Sequence, residues 1–159
     1  VKSPMHILCV SETHLTFNKY DFSSNLQVIH LMRKKDEKKG GGLSIIFRKN
    51  GICVESESTK SNDLFSCICS FQNFKFRLVF VYMSVDDVNK NKAMYNEIEK
   101  LTEKSELEEN PLILLGDMNA HIGFMGYQKI NKNGELLLKC AEENSLTILN
   151  DHPAGPATL

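Results

Sequence analysis

The sequence lacks an excess of charge of either sign. Its 159 residues include 19 Lys and Arg and 20 Asp and Glu, which gives a net charge of −1. Proteins that hold nucleic acid by charge alone normally have a strongly basic balance, because their affinity for phosphate comes from clustered Lys and Arg. That class is excluded, and any binding of DNA must be local, transient or dependent on further segments.

The sequence also lacks long apolar runs. None approaches the ~20 residues that a membrane-spanning helix needs, so we expect no membrane association. The first residues, Val1-Lys-Ser-Pro4, form neither a charged leader nor an apolar segment, and the first residue is not Met. We therefore expect a chain cut from a longer protein, without a secretory signal.

Paired cysteine motifs are missing as well. The five cysteines are an odd number and include no Cys-x-x-Cys pair, and Cys67 and Cys69 are two apart in a strand-like run, on one face. These features favour buried, reduced thiols in an intracellular protein, nuclear or cytoplasmic, over a zinc site or a disulfide framework.

What the sequence does contain is a series of short apolar runs separated by polar connections. With 42% hydrophobic residues it can bury one core, so we expect a single domain over residues 1–159. The runs at 63–71 and 75–82 predict a hairpin whose second arm is a central strand. The run at 6–10 predicts a compact buried strand, and the run at 112–115 predicts a fully buried one. The predicted strands are residues 6–10, 26–32, 42–47, 52–55, 63–71, 75–82, 112–115 and 146–149.

Two segments have helical periodicity instead. Residues 89–109 carry an apolar stripe at steps of three and four, formed by Met94, Ile98, Leu101 and Ser105. A second helix opens at Asn133-Gly-Glu135 and can bury Leu137, Leu138, Cys140 and Ala141. Strands outnumber helices and the helices come late, which predicts an α/β sandwich with packed sheets and helices outside. The charged run 33–39 is predicted to be a solvated loop.

Two polar side chains follow the strand predicted at 112–115. Gly116 lets the backbone turn or lets another group approach closely. Asp117 and Asn119 are two apart and project to the same side while the strand remains extended. A carboxylate beside a carboxamide can orient water, support a hydrated divalent cation or bond to a phosphate. The spacing does not decide between such a site and an Asx-turn, in which both side chains only satisfy local amides.

Two other predicted strands end in the same way. Glu12 follows the strand at 6–10 and can ligate a hard cation through oxygen, whereas His14 is the wrong type for Mg²⁺ and is expected to form hydrogen bonds within its loop. Tyr82 places a phenol at the end of the strand at 75–82. Each residue alone is more typical of an ordinary surface position. Three strands that each end in a polar group are a more specific sign of a site.

These segments, in this order, resemble successive motifs of the endonuclease/exonuclease/phosphatase superfamily. In detail they are similar to the apurinic-like endonuclease domain of non-LTR (LINE-type) retrotransposons and to craniofacial development protein 2-like proteins. The order and spacing match over almost the whole chain. The matching segments are Val10-Ser-Glu-Thr-His-Leu15, Lys39-Gly-Gly-Gly-Leu-Ser-Ile-Ile46, Val79-Phe-Val-Tyr82, Leu114-Leu-Gly-Asp-Met-Asn-Ala-His-Ile-Gly123 and Asn133-Gly-Glu-Leu-Leu137.

The resemblance implies a DNase I-like, four-layer α/β/β/α sandwich, truncated at both ends. It implies a hydrolase that uses Mg²⁺, or Mn²⁺, to cut phosphodiesters in DNA, in a protein fused to a reverse transcriptase. Glu12 would be the metal ligand, and Asp117 would position or deprotonate the attacking water. Asn119 would hold the scissile phosphate, and Tyr82 would contact the phosphate or stabilise developing charge. His121 belongs to the retroelement version of the motif and is expected to lie in a surface loop.

The sequence departs from the family in three places. Family members carry an Asn at the end of a first strand, which would precede Val1, and a closing Ser-Asp-His, which would follow Leu159. Residues 1–159 are therefore expected to be a partial domain. Asn150-Asp-His152 comes too early to be that closing motif. Ser11 stands where the family usually has Gln.

Three functions follow as alternatives. The first is a fragment of a Mg²⁺-dependent endonuclease that nicks DNA, absent or weak in activity on its own because phosphate-stabilising residues are missing. The second is a phosphatase or phosphodiesterase of the same superfamily that acts on a lipid or inositol phosphate. The third is a decayed, non-catalytic fragment. The continuation Asn119-Ala-His-Ile-Gly123 favours the first.

Overall fold

The computed structural model describes residues 6–15, 25–32, 42–56, 61–123 and 129–149. They divide into two compact units. The first contains the described residues up to Tyr82 together with Lys104–Asp117, and the second contains Met83–Glu103 and the described residues from Met118 onward. Both the charged run 33–39 and the segment Asn150-Asp-His152 lie outside the described residues.

Seven strands in two sheets form the first unit. The first sheet is antiparallel in the order β1-β3-β2, with β1 at Ile7–Ser11, β2 at Leu26–Leu31 and β3 at Leu43–Arg48. The second has the order β4-β5-β6-β7, with β4 at Ile52–Ser56, β5 at Leu64–Phe71, β6 at Phe74–Tyr82 and β7 at Leu112–Asp117. The pair β6 and β7 is parallel, and the other pairs are antiparallel.

One apolar core joins the two sheets. Alternate side chains of a strand point to opposite faces, and the inward residues of β3 pack with those of β5 and β6 in a single buried cluster. Its members include Leu43, Ile45, Phe47, Phe65, Cys67, Cys69, Leu78 and Phe80. The predicted packing of sheet on sheet is therefore confirmed.

The hairpin and the central strand are also confirmed. A two-residue turn at Gln72-Asn73 joins β5 to β6, with Gln72 in the left-handed region at φ 54°. Residues 76–81 of β6 are buried in an unbroken run, so side chains on both faces of this strand are covered. Within the sheet β6 lies between β5 and β7.

A buried ion pair sets the start of β7 beside β6. The Arg77 side chain is fully buried and donates to Glu108 Oε2 at 2.7 Å and to Ser66 Oγ at 3.3 Å. The backbone N–H of Arg77 also donates to the Pro111 carbonyl at 2.8 Å. These contacts hold the segment before β7 against the start of β6. The parallel pairing of the two strands begins at the next residue, where Leu112 pairs with Arg77.

The predictions of a buried strand at 6–10 and of a fully buried strand at 112–115 are wrong. Leu8 and Val10 of β1 are 38% and 37% exposed, and Ile113 and Leu115 of β7 are 39% and 41% exposed. Among the described strands, β1 and β7 each lie at the outer edge of their sheet, and one face of each points away from the core. An apolar run marks a strand, but it does not say how many faces of that strand are covered.

Most of the second unit consists of two helices and the loops beside them. Helix α1 spans Val88–Leu107 and begins where the Asp87 carboxylate accepts from the Lys90 N–H at 2.9 Å. The predicted stripe is confirmed, since Met94, Ile98, Leu101 and Ser105 are all buried. No helix among the described residues has the length and apolar character to cross a membrane.

Helix α2 spans Lys132–Glu143, and Asn131 caps its N-terminus. Cys140 and Ala141 are buried as expected, whereas Leu138 is 38% exposed and falls outside the buried stripe. The strand predicted at 146–149 is wrong. The Leu146 N–H donates to the Ala141 carbonyl at 2.8 Å and Ser145 is left-handed at φ 53°, so this backbone closes the end of α2 instead of joining a sheet.

The cysteines are only partly as predicted. Cys67, Cys69 and Cys140 are buried, and the Sγ atoms of Cys67 and Cys69 are 3.6 Å apart on one face of β5. Cys9 is half-buried on β1, and Cys53 is exposed on β4. Burial raises the pKa of both the Cys9 and the Cys140 thiol to about 11.

Candidate active site

Glu12 lies directly after β1, in a backbone conformation that few carboxylate residues adopt. Its φ is 53°, in the left-handed region, and its side chain is exposed. The next residue is held against the start of β3, because the Thr13 N–H donates to the Gly42 carbonyl at 3.3 Å. Gly42 has a φ of 93°, and a Cβ on it would lie 2.8 Å from Thr13 Oγ1, so this position favours glycine. The position of Glu12 is thus set by two strands of the first sheet.

Tyr82, the last residue of β6, contacts Glu12 directly. Its hydroxyl donates to Glu12 Oε1 at 2.5 Å, although the two residues are 70 positions apart in the sequence. The Tyr82 N–H donates to the Asp63 carbonyl at 2.9 Å, which fixes the end of β6 against the start of β5. A polar group from each sheet therefore meets at this end of the first unit.

Asp117 ends β7 beside Tyr82. The two residues are register partners in the parallel pair, so their side chains lie on the same face of the sheet. Gly116 has a φ of 141°, and a Cβ there would overlap the Val81 carbonyl oxygen of β6. Gly116 was predicted either to let the backbone turn or to let another group approach closely. The structure shows close approach, by the backbone of β6. Tyr82 and Asp117 are thus the last residues of their strands, and Glu12 directly follows β1, so all three lie at strand ends of the first unit.

Asn119 does not continue the strand. It lies in the left-handed region at φ 44°, so the inference that Asp117 and Asn119 share a side of an extended strand is wrong. Its Nδ2 donates to the Met83 carbonyl at 2.8 Å, 36 positions away, so Asn119 does not use this group for a local Asx-turn. Among the non-glycine residues with positive φ, Gln72, Glu109 and Ser145 lie in a hairpin turn or after a helix end. Glu12, His14 and Asn119 instead lie in loops after strands, and strained backbone of this kind concentrates at functional sites.

Three asparagines that were not predicted as site residues, Asn91, Asn131 and Asn133, hold the loops around Asn119. The Asn131 Nδ2 donates to the Asn119 carbonyl at 2.9 Å, and the Asn133 Nδ2 donates to the same carbonyl at 3.3 Å. Asn133 also donates to the carbonyls of Ser84 and Met118, at 3.0 and 3.4 Å. The loop after β6 and the loop after β7 are therefore bound by the same helix N-terminus.

Asn91 completes this network from α1. It is fully buried, and its Nδ2 donates to the Ser84 carbonyl at 2.7 Å and to Asn133 Oδ1 at 2.9 Å. Its Oδ1 accepts from the Ser84 N–H at 2.9 Å. The role of Asn91 could have been predicted from the sequence, because Asn91 lies on the apolar stripe of α1, three residues before Met94. A polar residue on a buried stripe must find partners.

The two histidines near these loops are exposed. His14 follows Glu12 with a φ of 51°. His121 lies in the loop after β7, where its backbone N–H donates to Asn131 Oδ1 at 2.9 Å and its carbonyl accepts from the Asn131 N–H at 3.1 Å. The surface-loop position expected for His121 is the one found.

The donor chemistry of the first unit suits a hard cation with few protein ligands. Glu12 and Asp117 offer exposed carboxylates. No cluster of three or more His, Cys, Asp or Glu side chains with metal-binding geometry occurs among the described residues. Mg²⁺ keeps several waters and is usually bound through one or two carboxylates together with substrate phosphates. The residues present fit such an ion better than a site built wholly from protein ligands.

Several solved structures have a fold similar to that of this chain. The chain superposes on the endonuclease domain of TRAS1, a telomere-specific non-LTR retrotransposon, with a TM-score of 0.72 and 19% identity over 92% of this chain. It spans 63% of that domain. The human Nocturnin catalytic domain matches with a TM-score of 0.51 and 16% identity, over 73% of this chain and 52% of that one. D. rerio TDP2 complexed with a single-strand DNA product matches with a TM-score of 0.51 and 15% identity, over 82% and 51%.

The DNase I-like fold predicted from the sequence is therefore confirmed. The family model described as endonuclease-reverse transcriptase matches residues 76–159, more than half of the sequence, and the chain belongs to this family. The resemblance to the endonuclease/exonuclease/phosphatase superfamily and to retrotransposon endonucleases is confirmed with it, and the family is one of hydrolases. No curated protein sequence matches the chain significantly.

Proposed function

We propose that this chain is part of a Mg²⁺-dependent endonuclease that nicks DNA and is encoded by a retrotransposon. The main support for the proposal is that three polar side chains at strand ends of the first unit, those of Glu12, Tyr82 and Asp117, lie beside one another. The Tyr82 hydroxyl donates to Glu12, and Tyr82 pairs in register with Asp117. Family membership and the fold make phosphodiester hydrolysis the class of reaction to which this geometry belongs.

Each residue has a role that its position allows. Glu12 would hold the Mg²⁺ ion, or Mn²⁺ in its place, through the carboxylate to which Tyr82 donates in this structure. The bound ion would neutralise charge on the phosphate. Asp117 orients the attacking water or accepts its proton, Tyr82 stabilises charge at the phosphate, and Asn119 holds the scissile phosphate.

DNA is the proposed substrate because of the family to which the chain belongs. The family is described by its endonuclease and reverse transcriptase, so we propose that the longer protein carries a reverse transcriptase. The fold alone does not select the substrate, since one fold supports many functions. The net charge of −1 implies that segments outside this chain supply much of the affinity for the DNA backbone.

The test is nicking of supercoiled plasmid by the longer protein that carries this chain, with Mg²⁺ present. Asp117→Ala and Glu12→Gln should each lower the nicking rate by at least ~10²–10³-fold, because each removes a group that stabilises the transition state. Glu106→Gln, at an exposed carboxylate of α1, serves as the matched control and should nick at the wild-type rate. Undiminished nicking by both site variants would refute the proposal. Release of phosphate from an inositol or lipid headgroup, with no nicking, would show that such a phosphate, and not DNA, is the substrate.

A further inference from the structure

The side chain of Asn131 has two separate functions at the start of α2. Its Oδ1 caps the helix, accepting from the Gly134 N–H at 2.7 Å and from the His121 N–H at 2.9 Å. Its Nδ2 takes no part in the cap and donates to the Asn119 carbonyl at 2.9 Å. The oxygen therefore serves the helix, and the nitrogen serves the loop after β7.

The loop lies close against the first turn of α2. A Cβ on Gly134 would overlap the His121 carbonyl oxygen, so no side chain fits between the loop and the helix at this point. The Asn131 N–H also donates to that carbonyl at 3.1 Å. Asn131 thus bonds to the N–H of His121 through its side chain, to the carbonyl of His121 through its backbone, and to the Asn119 carbonyl through Nδ2, so the helix N-terminus determines the path of residues 119–121.

We infer that Asn131 is a positioning residue, whose Nδ2 holds Asn119 in its left-handed conformation and so places the Asn119 side chain for catalysis. Asn119 has a φ of 44°, which its own backbone does not favour, and the bond to its carbonyl stabilises that conformation. Asn133 supports the same carbonyl at 3.3 Å. This inference rests on the proposed function, because it assigns Asn131 an effect on reaction rate through Asn119.

Asn131→Asp separates the two functions. Asp is as good an N-cap as Asn, since its carboxylate accepts from the same N–H groups and its charge is favourable at a helix N-terminus. Asp has no side-chain donor, so the bond to the Asn119 carbonyl is lost and an oxygen faces that carbonyl. The added charge is favourable at the N-terminus of α2 and offsets part of this loss, so the Tm should fall less than in Asn144→Asp, where the charge is added at the C-terminus. Its kcat for nicking should fall ~10–100-fold with little change in KM, because misplacement of a catalytic group slows the chemical step.

The experiment measures Tm, kcat and KM for Asn131→Asp in the longer protein that carries this chain, alone and combined with Asn119→Ala. If Asn131 acts through Asn119, its effect on kcat disappears in the Asn119→Ala background. Asn144→Asp is the matched control. Asn144 lies at the opposite end of α2, where its Nδ2 donates to the Cys140 carbonyl at 2.9 Å, so this change should lower Tm and leave kcat unchanged.

Three outcomes would overturn the inference. Asn131→Asp could nick at the wild-type rate, its effect could persist in the Asn119→Ala background, or its Tm could fall as much as that of Asn144→Asp. Asp117→Ala, assayed in parallel, separates these outcomes from failure of the proposed function. Loss of nicking in Asp117→Ala alone means that the endonuclease assignment stands and the role of Asn131 is wrong. In addition, the ¹⁵N shift of Ala120, whose nitrogen is bonded to the Asn119 carbonyl, should change in Asn131→Asp and provides a readout independent of activity.

Discussion

Strand register and apolar packing hold the first unit together, whereas carboxamide side chains hold the loops of the second. In the first unit, Asp117 and Tyr82 are placed by the parallel pairing of two strands. In the second unit, the loops after Tyr82 and Asp117 are held by Asn91, Asn131 and Asn133. The difference shows that residues on strands are placed by local pattern and pairing, but residues in loops need partners that are distant in the sequence.

The strongest test of register as the organising element is Gly116→Ala. The added Cβ would overlap the Val81 carbonyl and force φ away from 141°, so β6 and β7 would have to separate at the site. We expect a loss of roughly 4 kcal/mol in the free energy of unfolding, measured by chemical denaturation. Gly51→Ala is the control, with a φ of 125° but a nearest neighbour 3.4 Å away in the Phe71 ring, and should cost roughly 2 kcal/mol. Equal losses would show that backbone strain, and not strand approach, explains Gly116.

The corresponding test of the second unit is Asn91→Leu. Leucine is apolar and of similar size at a fully buried position, yet it leaves the Ser84 N–H without its side-chain acceptor and Asn133 Oδ1 without its donor. The Ser84 carbonyl keeps the bond from Asn133. We expect the free energy of unfolding to fall by about 2 kcal/mol, because buried polar groups without partners cost more than the apolar contact gains. Thr102→Val on the same helix is buried too, but Thr102 bonds only to the Ile98 carbonyl of its own helix, so the loss should stay below about 1 kcal/mol. A stabilised Asn91→Leu variant would mean that the network is dispensable.

The smallest effect concerns the thiols and changes no folding free energy. Cys53 of the first unit is exposed, whereas Cys140 of the second is buried with a pKa raised to about 11 by loss of solvent. Since the thiolate is the reactive form, iodoacetamide at pH 8 should label Cys53 quickly and Cys140 at least ~100-fold more slowly. The rate at Cys140 should keep rising up to about pH 11, as read by mass spectrometry of the peptides. Equal rates at pH 8 would show that the α2 face opens readily.

Much of the fold was predictable because periodicity reports on which face of an element is buried. The stripe of α1 and the central strand β6 were predicted from spacing, and Glu12, Tyr82 and Asp117 were identified as residues that follow apolar runs. The errors share one cause. The apolar runs at β1 and β7 look the same whether one face is covered or two, and the run 146–149 is apolar although its backbone closes α2. Apolar composition does not specify the partner that an element finds.

The sequence by itself determined that polar groups follow the strands of a DNase I-like fold, since those residues and their order are local properties. Only the tertiary structure decided that the Tyr82 hydroxyl meets Glu12 across 70 positions, and that Asn119 bonds to Met83 instead of extending β7. Such contacts depend on how strands pair and how loops fold back, and neither is encoded in the spacing of residues along one element. Likewise, only the tertiary structure showed that Asn131 and Asn133, at the start of α2, donate to carbonyls of the loops that follow β6 and β7.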